Sequence, residues 1–338
     1  MTAGLHPKQS DALDKALCAY IKTVAPRSKL ITRRSDHTNG GHRTGISRRL
    51  RQYCLIGEGG TYSIFAKQYD SANHAQREYS LLQAYRTLVA CNCGVASVEP
   101  LFCDEDVVLC TGAEGIAGVD LFSLPDRERV LLPERFHCIG KWLAAFHRVD
   151  THTNMPLKDV EGYRRFLTVL LQDHLRDFGG RYIAPDLGET VERTLGRMID
   201  LAATSSPYGP CHGDFCSQNI VVDVSRESST VLDFEDVHFG YQVKDLAAFC
   251  AKLKLLELIM PQHSRLIGNL ERSFLAGYAE NRGADVPDTS LVRCIYLLRV
   301  ASHLRYGRAW NVLRNIGSHI RRMRYGRLLN RELSVLCS

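Results

Sequence analysis

Two carboxylates and one amide stand at the ends of two short apolar runs in the second half of the chain. The runs, Ile220–Val222 and Val231–Leu232, are rich in β-branched residues and predict two strands joined by a polar turn. Asp214 and Asn219 precede the first run, and Asp233 follows the second. A β-hairpin would bring these ends together and would gather the oxygen ligands that Mg²⁺ prefers. The pattern therefore predicts a magnesium site of the kind that phosphoryl transfer requires.

The spacing between Asp214 and Asn219 matches a second requirement of phosphoryl transfer. In the kinase arrangement an aspartate orients the attacking hydroxyl, and an asparagine five residues later binds the metal. A single Asp-x4-Asn pair is common by chance, and Asp or Asn beside a strand usually forms a turn. His212, two residues before Asp214, and the Asp-Phe-Glu sequence that starts at Asp233 favour the functional interpretation.

The elements that must position these residues change in character along the chain. Helical periodicity over 11–24 is followed by strand-like runs at 28–33, 42–56 and 62–69, and glycine turns would connect these runs into an antiparallel meander. A helix over 72–90 comes next. The first part of the chain is therefore predicted to be a small β-rich lobe.

The remainder of the chain is mainly helical in pattern. Strands are predicted at 96–103 and 107–111, helices at 139–149, 162–178, 189–203, 241–281 and 288–330, and a β-rich island at 211–236. We therefore expect an α+β protein with an N-terminal lobe over 1–111, an interlobe linker over 112–118, and a C-terminal lobe over 119–338. Crevices between lobes are common ligand sites.

Composition excludes several classes of protein. The chain has 338 residues, of which 45% are hydrophobic and 24% charged, as in ordinary globular proteins. No run of about 18 apolar residues predicts a membrane span, and the first residues lack the apolar core of a signal peptide. Twelve cysteines without a CxxC pair are interpreted as reduced thiols rather than as a disulfide framework or a zinc site. We expect a cytoplasmic protein.

The stretch between 211 and 249 resembles the aminoglycoside phosphotransferase and choline kinase family, which consists of small-molecule kinases with the protein-kinase-like fold. The resemblance rests on His212-Gly-Asp214 with Asn219, on Leu232-Asp233-Phe-Glu235 and on Lys244-Asp245-Leu-Ala247. It is dense in this stretch and looser over about 30–310. It implies a two-lobed fold with a small antiparallel-sheet N-lobe and a larger, mainly helical C-lobe, and ATP and Mg²⁺ as cofactors.

The resemblance also implies a role for each matching residue. Asp214 would be the catalytic base or hydroxyl orienter. Asn219 and Asp233 would be the Mg²⁺ ligands, with Glu235 as a further candidate. Asp245 would hold the catalytic loop through backbone hydrogen bonds.

In the N-terminal lobe, the same scheme assigns two charged residues to nucleotide binding. Lys67 on the third strand would contact the nucleotide phosphates, and Glu78 on the following helix would be its ion-pair partner. The alternative is a pair of solvated surface charges, which contributes about 0–1 kcal/mol. The order and separation of the two residues favour the nucleotide-binding interpretation.

Two glycine turns are candidates for the loop that covers the phosphates. Asn39-Gly40-Gly41 is preferred because this loop lies between the first and second strands, and Gly57–Gly60 would then be the turn into the lysine strand. Neither turn has the full GxGxxG pattern. Cys110 to Glu114 would form the interlobe strand whose backbone contacts adenine.

Departures from the protein-kinase pattern indicate a small acceptor. Gly213 replaces the arginine of His-Arg-Asp, and only 11 residues separate Asp233 from Asp245, too few for a peptide-binding activation segment. We expect transfer of the γ-phosphate to a hydroxyl of a small molecule, such as an amino sugar, a choline-like alcohol or another sugar or alcohol. A catalytically silent nucleotide-binding regulatory module is the alternative from another class.

The C-terminal segment is strongly basic and has three interpretations. Residues 291–338 contain ten arginines and one glutamate. A solvated amphipathic helix on the C-terminal lobe is preferred. Recognition of an anionic or lipid-linked saccharide, or association with a membrane surface, comes second, and nucleic-acid binding is the least favoured.

Overall fold

The computed structural model describes residues 11–33, 37–40, 47–89, 93–149 and 207–283, with isolated positions at 161–162, 165, 168–169, 172, 193, 196–197, 200, 292 and 327–328. The chain forms two compact units. The first combines 1–90 and 96–115 with 230–235, and the second combines 91–95 and 116–229 with 236–338. The strand end that carries Asp233 and Glu235 therefore belongs to the same unit as the N-terminal strands. The lobe and linker boundaries expected from the sequence stay a prediction.

A six-stranded antiparallel sheet dominates the first unit. Its strands are β1 (Lys29–Arg33), β2 (His37–Gly40), β3 (Ser47–Gly57), β4 (Gly60–Gln68), β6 (Pro100–Asp104) and β7 (Val107–Thr111). The order is β1-β3-β4-β7-β6, and β2 also pairs with β3. Helices α1 (Ala12–Thr23) and α2 (Ala72–Leu88) confirm the periodicity over 11–24 and 72–90.

The predicted turn at Asn39 and Gly40 is wrong. Both residues end strand β2, where they pair with Arg48 and Ser47. Pairing with the long β3 overrides the local turn preference of the Asn-Gly sequence. Gly41 lies outside the described residues. The second glycine turn is where the sequence placed it, because Gly57 pairs with Gly60 and a two-residue turn leads from β3 into the lysine strand.

Helix α1 packs on the sheet through one apolar face. Leu13, Leu17 and Tyr20 are buried in one cluster with Leu55 and Ile64 of the sheet. The burial of these side chains supplies the main stabilising free energy of the unit. This apolar face holds α1 against β3 and against β4, the strand that carries Lys67.

The second unit holds short strands and longer helices. Its described elements include β8 (Ile116–Ala117), β9 (Tyr208–Cys211), β10 (Ile220–Asp223), β12 (His238–Tyr241), α3 (Asp126–Arg129), α4 (Leu132–Phe146), α5 (Val243–Ile259) and α6 (Ser264–Arg282). Two further strands, β5 (Val95–Ser97) and β11 (Ser228–Val231), each contain residues of both units. Strand β10 lies between β8 and β11, as the predicted hairpin requires, and β9 pairs with β12.

The segment predicted as one helix over 241–281 forms two helices, because the helix is interrupted at Pro261. Proline lacks an amide hydrogen, and a short 3₁₀ turn, Pro261–His263, separates α5 from α6. The helix predicted over 139–149 begins earlier, at Leu132. The helices predicted over 162–178, 189–203 and 288–330 lie outside the described residues except at isolated positions.

Two further expectations can be compared with the described residues. Within them, no helix combines the length and apolar character needed to cross a bilayer. Eight of their cysteines are free thiols. Cys93 departs from the expectation of reduced thiols, since it is disulfide-bonded.

Candidate active site

Four charged side chains meet in the first unit beside strand β4. The Nζ atom of Lys67 lies 2.6 Å from Asp233 Oδ1 and 3.2 Å from Glu78 Oε2. It is also 3.3 Å from Glu235 Oε2. The structure thus brings Lys67 and Glu78 together, as the sequence predicts, and adds both carboxylates of the Asp-Phe-Glu sequence. We call these four residues the lysine cluster.

The lysine cluster carries one positive charge and three negative charges. Burial lowers the pKa of the Lys67 ammonium, but the carboxylates of Glu78, Asp233 and Glu235 outweigh burial and hold that pKa well above its usual value. One carboxylate oxygen from each of the three acids lies within 4.8 Å of the others. An excess of negative charge on oxygen donors fits a hard divalent cation such as Mg²⁺.

Asp233 reaches the cluster through an unusual backbone conformation. Its φ is +63°, in the left-handed region that aspartate and asparagine enter more readily than most side chains. The next residue, Phe234, is buried and its ring lies 6.0 Å from that of Tyr85 on α2. Packing of Phe234 therefore anchors the turn, and Asp233, 38% exposed, is presented at its surface.

Tyr69 completes the surroundings of the lysine cluster, and the sequence analysis missed it. Its hydroxyl is hydrogen-bonded to Glu78 Oε2, and its ring centroid lies 5.0 Å from Lys67 Nζ. The two-residue spacing from Lys67 was the available signal, because alternate residues of an extended chain share a face.

The second unit carries Asp214 and Asn219 on the loop between β9 and β10. The loop ends in a 3₁₀ turn, Ser217–Asn219, which leads directly into β10. The Asn219 amide nitrogen donates to the Asp214 main-chain oxygen at 2.9 Å and lies 3.3 Å from Asp214 Oδ2. Because the nitrogen makes these bonds, the amide oxygen is the Asn219 atom suited to bind a cation.

Asp245, near the start of α5, fixes the beginning of this loop. Its carboxylate accepts the backbone N–H of His212 at 2.6 Å and that of Gly213 at 3.0 Å. This is the arrangement that the resemblance implies for Asp245. Burial alone would raise the pKa of Asp245, but the hydrogen bond from His147 holds it below its usual value.

His147 joins Asp245 to helix α6. Its Nε2 lies 3.1 Å from Asp245 Oδ2, and its Nδ1 lies 2.9 Å from the hydroxyl of Tyr278. Burial lowers the pKa of His147, so the imidazole is neutral at pH 7. Neutral His147 then donates from Nε2 to the carboxylate and accepts from Tyr278 at Nδ1. The sequence analysis assigned no role to His147.

The backbone conformation at Gly213 explains why this position, an arginine in the His-Arg-Asp pattern, is occupied by glycine. Its φ is +91°, and a Cβ at this position would lie 2.3 Å from the main-chain oxygen of Asp236. A side chain at this position would therefore be strained and would clash.

The residues proposed to contact adenine begin within strand β7. Cys110 pairs with Phe65 of β4 and with Pro100 of β6. Burial is the main factor that raises the pKa of the Cys110 thiol, to about 12. Glu114 is exposed on the segment between β7 and β8.

Comparison with known proteins identifies the family. Residues 49–283 match the model of the phosphotransferase enzyme family, which is more than half of the chain. The chain belongs to this family. The protein is therefore a phosphotransferase of the small-molecule kinase type, with an alcohol group as acceptor. A search of curated protein sequences found no match.

Solved structures share the fold of this phosphotransferase. The macrolide 2′-phosphotransferase of Brachybacterium faecium has a TM-score of 0.52 at 18% identity, with 92% of this chain and 97% of that chain covered. A candidate aminoglycoside phosphotransferase from Ralstonia eutropha has a TM-score of 0.52 at 14% identity, with 96% of both chains covered. The choline kinase of Streptococcus pneumoniae has a TM-score of 0.50 at 14% identity, with 96% and 100% covered. The kinase-like α+β fold is thereby confirmed.

Proposed function

We propose that this phosphotransferase transfers the γ-phosphate of ATP to a hydroxyl of a small molecule in a Mg²⁺-dependent reaction. The lysine cluster is the observation that carries the proposal. It holds an ammonium and three carboxylates in contact, and ammonium and carboxylate groups are those that bind nucleotide phosphates and the accompanying metal. Solvated surface charges, the alternative for Lys67 and Glu78, do not account for a Glu78 side chain that is only 5% exposed.

Each site residue has a role in the proposal. Lys67, held by Glu78, contacts the nucleotide phosphates. Asp233 and Asn219 hold Mg²⁺, and Glu235 is a further candidate ligand. When bound, Mg²⁺ neutralises charge on the phosphates.

Asp214 acts on the acceptor. A carboxylate oxygen of Asp214 takes the proton of the acceptor hydroxyl while the hydroxyl oxygen forms a bond to the γ-phosphorus. The bond between that phosphorus and the β–γ bridging oxygen breaks, and ADP leaves. The hydrogen bond that the Asn219 amide nitrogen donates to Asp214 Oδ2 supports this role because it limits the rotation of the Asp214 side chain.

Two further nucleotide contacts are part of the proposal. The segment around Asn39, Gly40 and Gly41 covers the phosphates, and the backbone from Cys110 to Glu114 contacts adenine. Asn39 and Gly40 end β2, immediately before the stretch of chain that leads to β3. This position supports the role, because a Gly-rich loop covers the phosphates in protein kinases.

The acceptor belongs to the class of small hydroxylated molecules. The structures of similar fold include a macrolide 2′-phosphotransferase and a choline kinase. Amino sugars, macrolides, choline analogues, other sugars and alcohols, and lipid-linked saccharides therefore form the first panel to test.

The test is transfer of labelled phosphate from ATP across this panel. We expect Asp214→Asn to lower kcat by about 10²–10⁴-fold, the range for loss of general acid–base catalysis, with little change in the Kd for Mg·ATP. Asp223→Asn is the matched control. Asp223 caps the turn after β10 through Ser225 and lies outside the proposed roles.

Two results would contradict the proposal. Full turnover by Asp214→Asn would remove Asp214 from the chemistry. Binding of Mg·ATP without transfer to any acceptor would favour the silent nucleotide-binding module.

A further inference from the structure

Tyr69 is the aromatic residue that contacts both members of the Lys67–Glu78 ion pair. It follows the last residue of β4, and its backbone N–H donates to the Asp106 main-chain oxygen at 2.8 Å. The side chain is only 5% exposed and packs with Ala75 of α2 and Val108 of β7. The phenol is thus held between the strand that carries Lys67 and the helix that carries Glu78.

The hydroxyl of Tyr69 is a hydrogen-bond donor. Burial raises its pKa well above the usual value, with the negative charge of Glu78 adding to the effect and Lys67 opposing it. The phenol therefore stays protonated at neutral pH, and its O–H points to Glu78 Oε2. Lys67 Nζ donates to this same oxygen. Two donors on one carboxylate oxygen limit the rotation of the Glu78 carboxylate.

The ring of Tyr69 restricts Lys67 from a second side. Its face lies within the range of a cation–π contact with the ammonium. Without these restraints, Lys67 has Asp233 at 2.6 Å and Glu235 at 3.3 Å as alternative partners. A lysine held only by these two acids would be drawn away from Glu78.

We propose that Tyr69 is a positioning residue of the nucleotide site, which acts through Glu78 to keep the Lys67 ammonium available to the ATP phosphates. This role rests on the proposed function. It assigns to Tyr69 a part in nucleotide affinity and none in acceptor binding.

The test compares Tyr69→Phe with Tyr62→Phe. The first change keeps the ring and removes the hydroxyl that bonds Glu78. The second removes a hydroxyl from strand β4, and that hydroxyl lies 2.7 Å from Ser28 Oγ. We expect Tyr69→Phe to raise the Kd and the KM for Mg·ATP about tenfold, the size typical of a lost hydrogen bond to a charged group. The KM for the acceptor should be unchanged, and Tyr62→Phe should bind Mg·ATP like the wild type.

A double-mutant cycle separates positioning from a merely structural role. In a Glu78→Gln background, Tyr69→Phe should change the Kd for Mg·ATP by less than about twofold, because the hydroxyl acts through the carboxylate. A purely structural contribution would add to that of Glu78→Gln. If Tyr69→Phe does not fold, Tyr69→His, which has a ring N–H donor, must bind Mg·ATP more tightly than Tyr69→Leu.

The outcomes are distinct. Wild-type affinity in Tyr69→Phe, additive effects in the cycle, or equal affinities of the His and Leu variants would overturn the role of Tyr69 and leave the proposed function intact. Absence of Mg·ATP binding by the wild-type protein would overturn both.

Discussion

Cys110 and Cys216 each lie close to a candidate site residue, yet burial makes both thiols poor nucleophiles. Burial raises the pKa of each thiol to about 12, with the charge of Glu78 adding at Cys110 and that of Asp214 adding at Cys216. The thiolate, which is the reactive form, is therefore almost absent at neutral pH. This environment is that of a packing residue and differs from that of a catalytic cysteine.

We expect iodoacetamide at pH 7.5 to leave both cysteines of the folded protein unmodified and phosphotransferase activity unchanged. Peptide mass spectrometry after alkylation measures the modification directly. The same protein in guanidinium chloride is the control, because unfolding exposes every thiol. Rapid alkylation of Cys216 in the folded protein would show that the catalytic loop opens, contrary to its burial in the structure.

Helices α4 and α6 pack closely against each other at two glycines. A Cβ at Gly140 would lie 2.0 Å from the Phe274 main-chain oxygen, and a Cβ at Gly277 would lie 2.0 Å from that of His137. Glycine is required at both positions because the helix backbones touch. This crossing positions the His147 end of α4 near Tyr278 of α6.

We expect Gly140→Ala to lower the free energy of unfolding by about 1–3 kcal/mol, because the added methyl must separate the two helices. Gly268→Ala on α6 is the matched control. A Cβ there meets only the end of the Arg272 side chain, at 3.6 Å, so alanine should be neutral or stabilise the helix by up to about 1 kcal/mol. Urea unfolding of the two variants measures the difference. Equal stabilities would show that the helices do not cross this closely.

The elements differ in how well the sequence predicts them. Strand β4 and helix α2 follow local patterns, and the family resemblance predicted the contact between Lys67 and Glu78. The predictions of a turn at Asn39 and of a continuous helix through Pro261 were wrong. At Asn39, long-range pairing with β3 determines the conformation, and at Pro261 the apolar pattern continues across a residue that breaks the helix.

Contacts between side chains distant in sequence were the least predictable part of the site. Asp245 was expected to bond the catalytic loop because a family motif carries it. His147 and Tyr69 were assigned no contact, and their partners Tyr278 and Glu78 lie on other elements. Periodicity places such residues in the core but does not show which polar group each of them meets.

For the whole molecule, the net charge of +6 hides an uneven distribution of charge along the chain. The family match ends at residue 283, so the ten arginines of 291–338 lie beyond it. The match instead contains the carboxylates of the lysine cluster and of the catalytic loop. The residues proposed to hold the metal, to bind phosphate through Lys67 and to activate the acceptor therefore lie within the match, and recognition of an anionic acceptor by the basic segment stays a prediction.

Buried titratable groups make the free energy of unfolding fall at both acidic and alkaline pH. The folded-state pKa values of His147 and Asp245 are lowered, so the unfolded chain binds more protons than the folded chain below about pH 6.5 for the histidine and about pH 4 for the aspartate. The free energy of unfolding therefore falls as the pH falls. At alkaline pH the sign reverses, because Tyr53 and Tyr278 have raised pKa values and the unfolded chain loses their protons first, above about pH 10. We expect the free energy of unfolding to be highest and nearly constant between these limits.

Urea unfolding at pH 7.5 and 5.5 should show that His147→Gln loses less stability on acidification than the wild type, by up to about 1.4 kcal/mol for each pH unit. His137→Gln, a change at a more exposed histidine paired with a surface glutamate, is the control and should follow the wild type. An equal loss in His147→Gln and the wild type would mean that His147 is not the group that destabilises the protein in acid.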